Sequence, residues 1–296
     1  MFKSKKRINH LNICISTIVT PDFIPGTLVM LDSFLRHNKW FKGDILIYGY
    51  NLRDHDRKLL QTFPNIKFLD PDPELVSNID KIIKERPDYR HKKMMFYSLS
   101  LFNIIGYDKY IYMDSDAFFT GNIKPLMLQD HGLMCSPDFA SYKGFAKNRH
   151  TFELERNPDN SESYWFNTFN SGVLIIDKKL VNREVFEGLL SHLSSENYAG
   201  LTKPSADQYL LNLYFRENYY KLPGIYNYRI NISREIKHKE GKDIRHAKII
   251  HFPGKKNPWN GVQVIKSVQK WPHSLEYFKK WNDAYLKLLK RLQKSR

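Results

Sequence analysis

Tyr107-Asp108-Lys109-Tyr110-Ile111-Tyr112-Met113-Asp114-Ser115-Asp116 is a short apolar, aromatic strand that runs straight into two carboxylates spaced by one residue. Residues two apart in a strand point to the same side, so a strand edge bearing Asp114 and Asp116 gathers two acids. Like charges held together are costly unless a cation offsets the repulsion. Hard oxygen ligands suit a divalent cation. The aromatic run before the pair, and Ala117-Phe118-Phe119 after it, set this triplet apart from acid-any-acid turns that arise by chance on a solvated surface.

The surrounding chain alternates strands with helices. Residues 11–19 read as a buried strand. Leu28, Leu31, Phe34 and Leu35 then share one face of a helix over 26–37. Asp44–Tyr50 and Ile66–Leu69 read as strands, with a helix over Asp54–Thr62 between them. Asp70-Pro71-Asp72-Pro73 breaks the chain. A helix over Lys92–Ile105, capped by Gly106, leads into the Tyr110–Met113 strand. This order predicts an α/β fold with a Rossmann-like, mostly parallel central sheet and helices on both faces. Ligands of such sheets collect beyond the carboxyl ends of the strands, where Asp114 and Asp116 stand. Further on, residues 140–165 are polar and read as irregular, with Asn157-Pro158-Asp159-Asn160 as an exposed loop. A strand over Gly172–Ile176, a helix over Ser205–Phe215 with Ser205 as its N-cap, and a strand over Lys248–His251 follow.

The 296 residues are 42% hydrophobic and 14% aromatic, enough for a sizeable core. The basic segment 1–10 is followed by no apolar run approaching the ~20 residues of a membrane span. Cys14 and Cys135 lie in apolar strands and read as buried thiols, which fits a reducing, cytoplasmic setting. The net charge of +16 favours anionic partners. No basic-aromatic recognition module accompanies it, which argues against nucleic acid. In the last segment Leu275, Phe278, Trp281, Tyr285, Leu288, Leu289 and Leu292 recur at helical spacing among Lys279, Lys280, Lys287, Lys290, Arg291 and Lys294. Such a basic amphipathic helix either packs on the domain or lies peripherally on the inner face of an anionic membrane. The chain therefore divides into a tail (1–10), a main domain (11–272) and this helix (273–296).

Three further clusters carry polar chemistry. His251-Phe252-Pro253-Gly254-Lys255-Lys256-Asn257-Pro258-Trp259 puts an imidazole at a strand end, where it can complete an Asp/Asp/His set suited to Mn²⁺ or a similar ion, although a lone histidine is more often structural. Gly254 permits close backbone approach to a phosphate, and Lys255 and Lys256 supply its counter-charge. Phe169-Asn170-Ser171-Gly172-Val173 opens a strand with an amide and a hydroxyl that could bond sugar hydroxyls. Asp207 and Gln208 sit on the first turn of a helix, where an acid is also favoured by the helix dipole alone. Two enzyme classes use a strand-end acid pair. A haloacid-dehalogenase-like phosphatase places it near the chain start and adds a downstream acidic pair, which is missing here. A nucleotide-sugar transferase uses the metal to stabilise the departing diphosphate.

The four motifs in this order, over roughly residues 11–260, closely resemble glycosyltransferase family 8, which includes glycogenin and bacterial lipooligosaccharide galactosyltransferases. The resemblance implies a GT-A fold and a retaining transfer from a UDP-sugar to a glycan or lipid-linked acceptor, with Mn²⁺ or alternatively Mg²⁺. A self-glycosylating, glycogenin-like role is the nearest variant. By the same resemblance Asp114, Asp116 and His251 hold the metal, and Gly254 with Lys93, Lys255 or Lys256 contacts the diphosphate. Ile18, Thr20 and Phe23 form the uridine pocket, Phe23 stacking on the base, with Ser115 also at the donor. Asn170 and Ser171 face the donor sugar, Asp207 bonds its hydroxyls, and Gln208 lies near the anomeric carbon opposite the leaving group. The chain departs from the family pattern at three places: Phe23 replaces a tyrosine, Asn257 replaces the lysine before Pro-Trp, and the basic residues preceding the acid-pair strand, Lys92 and Lys93, lie about one turn early.

Overall fold

The computed structural model describes residues 11–159, 161–254 and 256–294. The basic tail 1–10, Asn160 and Lys255, all named above, lie outside the described residues, as does the end of the 273–296 segment beyond residue 294. Among the described residues thirteen strands follow in chain order: β1 (Ile13–Val19), β2 (Ile45–Gly49), β3 (Ile66–Leu69), β4 (Lys109–Met113), β5 (Ala117–Phe119), β6 (Leu133–Pro137), β7 (Ala146–Asn148), β8 (Leu154–Glu155), β9 (Tyr164–Trp165), β10 (Phe169–Asp177), β11 (Tyr220–Lys221), β12 (Tyr228–Arg229) and β13 (Ile249–His251).

Seven of them form the central sheet, in the order β11-β6-β10-β4-β1-β2-β3. All neighbours are parallel except at β10, which runs antiparallel to both β4 and β6. From β1 the chain builds outward through β2 to β3, then returns to place β4 on the other side of β1. That reversal is a topological switch point, and its crevice opens at the carboxyl ends of β1 and β4.

Alternation along each strand feeds two cores. Ile13, Ile15, Ile45, Ile47, Ile111, Met113, Val173 and Ile175 face one side, where the Ile24–His37 and Leu275–Lys294 helices pack. Cys14, Leu46, Tyr48, Tyr110, Tyr112, Leu174 and Ile176 face the other, under the Pro73–Glu85, Arg183–His192 and Asp207–Phe215 helices. Both cysteines are buried free thiols, as the sequence suggests. Among the described residues no helix is long and apolar enough to cross a membrane.

Several local expectations are revised. Residues 87–103 are helical with i→i+3 bonding, tighter than the α-helix expected there. The 207–215 helix is capped at Ala206 with no side-chain bond, and Ser205 instead donates its backbone N–H to the Tyr89 hydroxyl. The polar stretch 140–165 contains β7, β8 and β9, a small antiparallel sheet closed by Phe152, Trp165 and Tyr209. The C-terminal helix spends its apolar face on the core: Tyr277, Phe278, Trp281, Ala284 and Leu288 are buried, and Arg291 pairs with Asp32. Leu275, Leu286 and Leu289 on the same helix stay exposed.

Candidate active site

Strand β4 ends at Met113, and Asp114–Asp116 form a tight turn closed by the Ala117 N–H donating to the Asp114 carbonyl at 3.0 Å. The two acids thus converge through a turn rather than through strand alternation. The turn lets the chain leave the central sheet and enter a second one, ordered β12-β13-β5. There β13 pairs antiparallel with β5, setting His251 opposite Ala117. That register carries an imidazole some 135 residues away to the acid pair. Ser115 faces backwards: its hydroxyl donates to the Ile18 carbonyl and lies 3.0 Å from the Thr17 hydroxyl, tying the turn to the end of β1.

His251 Nε2 lies 3.1 Å from Asp116 Oδ1 and 3.5 Å from Asp114 Oδ2. One ligand atom from each of the three falls within 4.8 Å of the others. His251 and Asp116 are buried, while Asp114 opens to the crevice. The Nε2–Oδ1 approach is not aligned as a hydrogen bond, and both atoms are buried without a hydrogen-bonding partner. Orphaned buried polar atoms are costly; a cation between them satisfies both at once. Burial, with the Asp116 charge adding and His251 opposing, pushes the Asp114 carboxyl up to about 6. The donor set of two carboxylates and one imidazole fits a divalent metal ion.

Gly172 makes room for the trio. A Cβ there would stand 2.3 Å from His251 Cε1 and 2.6 Å from Asp114 Oδ2. The Gly172 carbonyl also accepts the Asp114 N–H at 2.9 Å. Three residues that the sequence reading did not single out hold the site together. Tyr112 donates its hydroxyl to Asp114 Oδ1 at 3.1 Å. Asn227 bonds the far side of the His251 ring. Gly172 lies inside a quoted motif, and a glycine within a strand signals close approach by another group; Tyr112 and Asn227 left no comparable signal.

The remaining candidates fall into three groups. Asn170, Ser171, Asp207 and Gln208 converge: Asn170 Nδ2 donates to Gln208 Oε1 at 2.8 Å. Burial and the Asp114 charge push Asp207 up to about 7, against a bond from Ser171. Phe23 meets the Trp259 ring edge-on at 5.4 Å, and Trp259 donates its indole N–H to the Asp22 carbonyl, so the first and last motifs touch. Ile18 and Thr20 lie at and just beyond the end of β1, on this side of the sheet. Lys256 lies where burial lowers its ammonium pKa and the Asp116 charge opposes that; its Nζ donates to the Pro253 carbonyl at 3.0 Å. Gly254 is exposed in the left-handed region at φ +72°. Lys93 pairs with Asp80 at 2.5 Å, whereas its neighbour Lys92 feels the Asp207 charge.

Fold and trio together define a candidate divalent-cation site at the switch point of an open α/β sheet. The family model described as Glycosyl transferase family 8 matches residues 14–263, and the chain belongs to that family. Glycosyltransferase GlyF of Streptococcus pneumoniae serotype 4 is 24% identical over 176 residues, 57% of this chain and 38% of that protein. Glycogenin-1 of Mus musculus is 25% identical over 251 residues, 82% of this chain and 64% of that protein. The chain thus spans 38% to 66% of the first three curated relatives it matches. Among solved structures, the galactosyltransferase LgtC with donor and acceptor sugar analogs aligns at a TM-score of 0.65 and 17% identity, over 92% of this chain and 95% of that one. Mouse xyloside xylosyltransferase 1 aligns at 0.53 and 16%, over 81% and 97%. These likenesses show a shared GT-A fold.

Proposed function

We propose that this chain is a retaining glycosyltransferase that moves a hexose from a UDP-sugar to a glycan or lipid-linked saccharide acceptor. The observation that carries the reading is the Asp114, Asp116 and His251 trio at the switch point, in a chain of this family. Mn²⁺ is the ion proposed, and bound there it would offset the negative charge that builds on the departing diphosphate. Lys256, whose ammonium feels the Asp116 charge, adds positive charge to the same region. Phe23 supplies a ring for the uracil. Asn170, Ser171 and Asp207 offer donors and acceptors to the sugar hydroxyls.

Gln208 is a weak nucleophile, and its carbonyl oxygen already accepts a bond from Asn170. That favours attack by the acceptor hydroxyl on the same face the diphosphate leaves. The new glycosidic bond then forms as the bond to UDP breaks, and a diphosphate oxygen takes the acceptor proton. The exposed Leu275, Leu286 and Leu289 beside Lys279 and Lys290 support a lipid-linked acceptor reached at an anionic surface.

A panel of UDP-sugars with Mn²⁺, read by UDP release and melting temperature, tests the donor assignment. One UDP-hexose should be hydrolysed, and should stabilise the fold by about 2.7 kcal/mol at a hundred times its Kd. No UDP release and no stabilisation with any member would refute it. Vesicle co-sedimentation that is indifferent to Leu286→Ser plus Leu289→Ser would remove the membrane part.

A further inference from the structure

His251 is backed by a line of side chains. Its Nδ1 lies 2.8 Å from Asn227 Oδ1. Asn227 is fully buried, and its amide nitrogen donates to Asn170 Oδ1 at 2.8 Å. Asn170 donates through its own amide nitrogen to Gln208 Oε1, again at 2.8 Å. Four side chains therefore join β13, the turn before β12, β10 and the first turn of the Asp207–Phe215 helix.

The direction of the line follows from one end. An imidazole that binds a cation has one donor and one acceptor nitrogen. Asn227 presents an oxygen, so Nδ1 carries the hydrogen and the Nε2 lone pair faces Asp116 and Asp114. Each amide hands the same polarity on, with its oxygen toward His251 and its nitrogen toward Gln208. The last link engages the Gln208 carbonyl oxygen and does not use the Gln208 NH₂.

We propose that Asn227 is a positioning residue with two outputs. It holds His251 in the metal-ligating tautomer and, through Asn170, it orients Gln208 as a hydrogen-bond donor toward the bound sugar. The inference rests on the metal-assisted reading above and adds a residue that couples the metal side of the site to the sugar side. Carboxylate and carbonyl oxygens behind metal-bound histidines fix the tautomer in this way in general, and the Asn227 side-chain oxygen stands in the same place.

Two substitutions separate the outputs. Asn227→Asp keeps an oxygen on Nδ1 but turns the Asn170-facing donor into a second oxygen. Asn227→Leu removes both. Mn²⁺ affinity is measured by electron paramagnetic resonance on the protein without donor sugar, and turnover is measured at saturating Mn²⁺. Asn227→Asp should keep or tighten Mn²⁺ binding, Asn227→Leu should weaken it about 10- to 100-fold, and both should lower turnover at least tenfold. Equal losses of Mn²⁺ affinity in the two variants, or unchanged turnover in both, would overturn the proposal. Should neither variant fold, Asn170→Ala decides: retained Mn²⁺ affinity with reduced turnover supports the line, and lost affinity overturns it. Wild-type protein that binds no Mn²⁺ would instead break the metal reading itself.

Discussion

Strand β4 has buried charge at both ends, and the two ends are wired differently. At its amino end the Lys109 ammonium lies 2.6 Å from Asp177 Oδ2 and 2.6 Å from the Gln129 carbonyl, with the two side chains only 3% and 9% exposed. At its carboxyl end Asp114 and Asp116 crowd against each other, and the nearest protein partners are an imidazole and a tyrosine hydroxyl. One end is neutralised from within the chain. The other carries an excess of negative charge. The first arrangement serves the fold; the second is suited to a cation.

Breaking the comparison at the carboxyl end has the largest effect on the reaction rate. Asp116→Asn should lower metal-dependent UDP release by on the order of 10³-fold, about 4 kcal/mol of barrier, with little change in melting of the metal-free protein. Urea unfolding and steady-state rates on the same preparation check this. Comparable loss of stability and rate would mean the carboxyl end is structural after all.

At the amino end the pattern reverses. Lys109→Met leaves Asp177 buried without its cation and should cost about 3–5 kcal/mol of stability, while Mn²⁺ affinity stays within twofold. Burial raises the Asp177 carboxyl, but the Lys109 bond, the Lys179 N–H and the nearby ammonium charges outweigh it and hold it below the ordinary range. A depressed folded-state pKa gives stability that is full above the unfolded value, about 3.9, and is lost as pH falls through the folded value. The gap between wild type and Lys109→Met in urea should therefore be widest near neutral pH and close in strong acid. A gap independent of pH would assign the loss to packing.

The smallest effect sharpens the contrast. Gly172→Ala drives a methyl group against His251 and Asp114. It should weaken Mn²⁺ binding about 10- to 100-fold, the range seen when a ligand's support is disturbed, and leave the Lys109–Asp177 end intact. Calorimetric titration showing wild-type affinity would rule out the crowding.

The sequence made the first half of this molecule readable because helical and strand periods alternate cleanly there, and Asp114, Asp116 and His251 could be proposed as a set. It could not reveal the route by which they meet. Alternation gives the face of a strand but not its direction, so the antiparallel run of β10 was hidden, as was the second sheet that delivers His251. The short strands β7 to β9 sit among Lys, Asn and Glu residues too polar to show a pattern. Asn227 stands alone between tyrosines, and a single amide has no period; only its contacts reveal it. The C-terminal helix showed a basic amphipathic stripe, a period that packing on the domain and membrane contact would share, so the sequence alone did not separate them.

The passage from β4 to β5 crosses between two sheets within a single tight turn. The acids belong to that crossing, the imidazole to the far sheet, and the clearance at Gly172 to the near one. An ion held among them would rivet the seam, so that loading the site with metal and fastening the two halves of the crevice together would be one mechanical event.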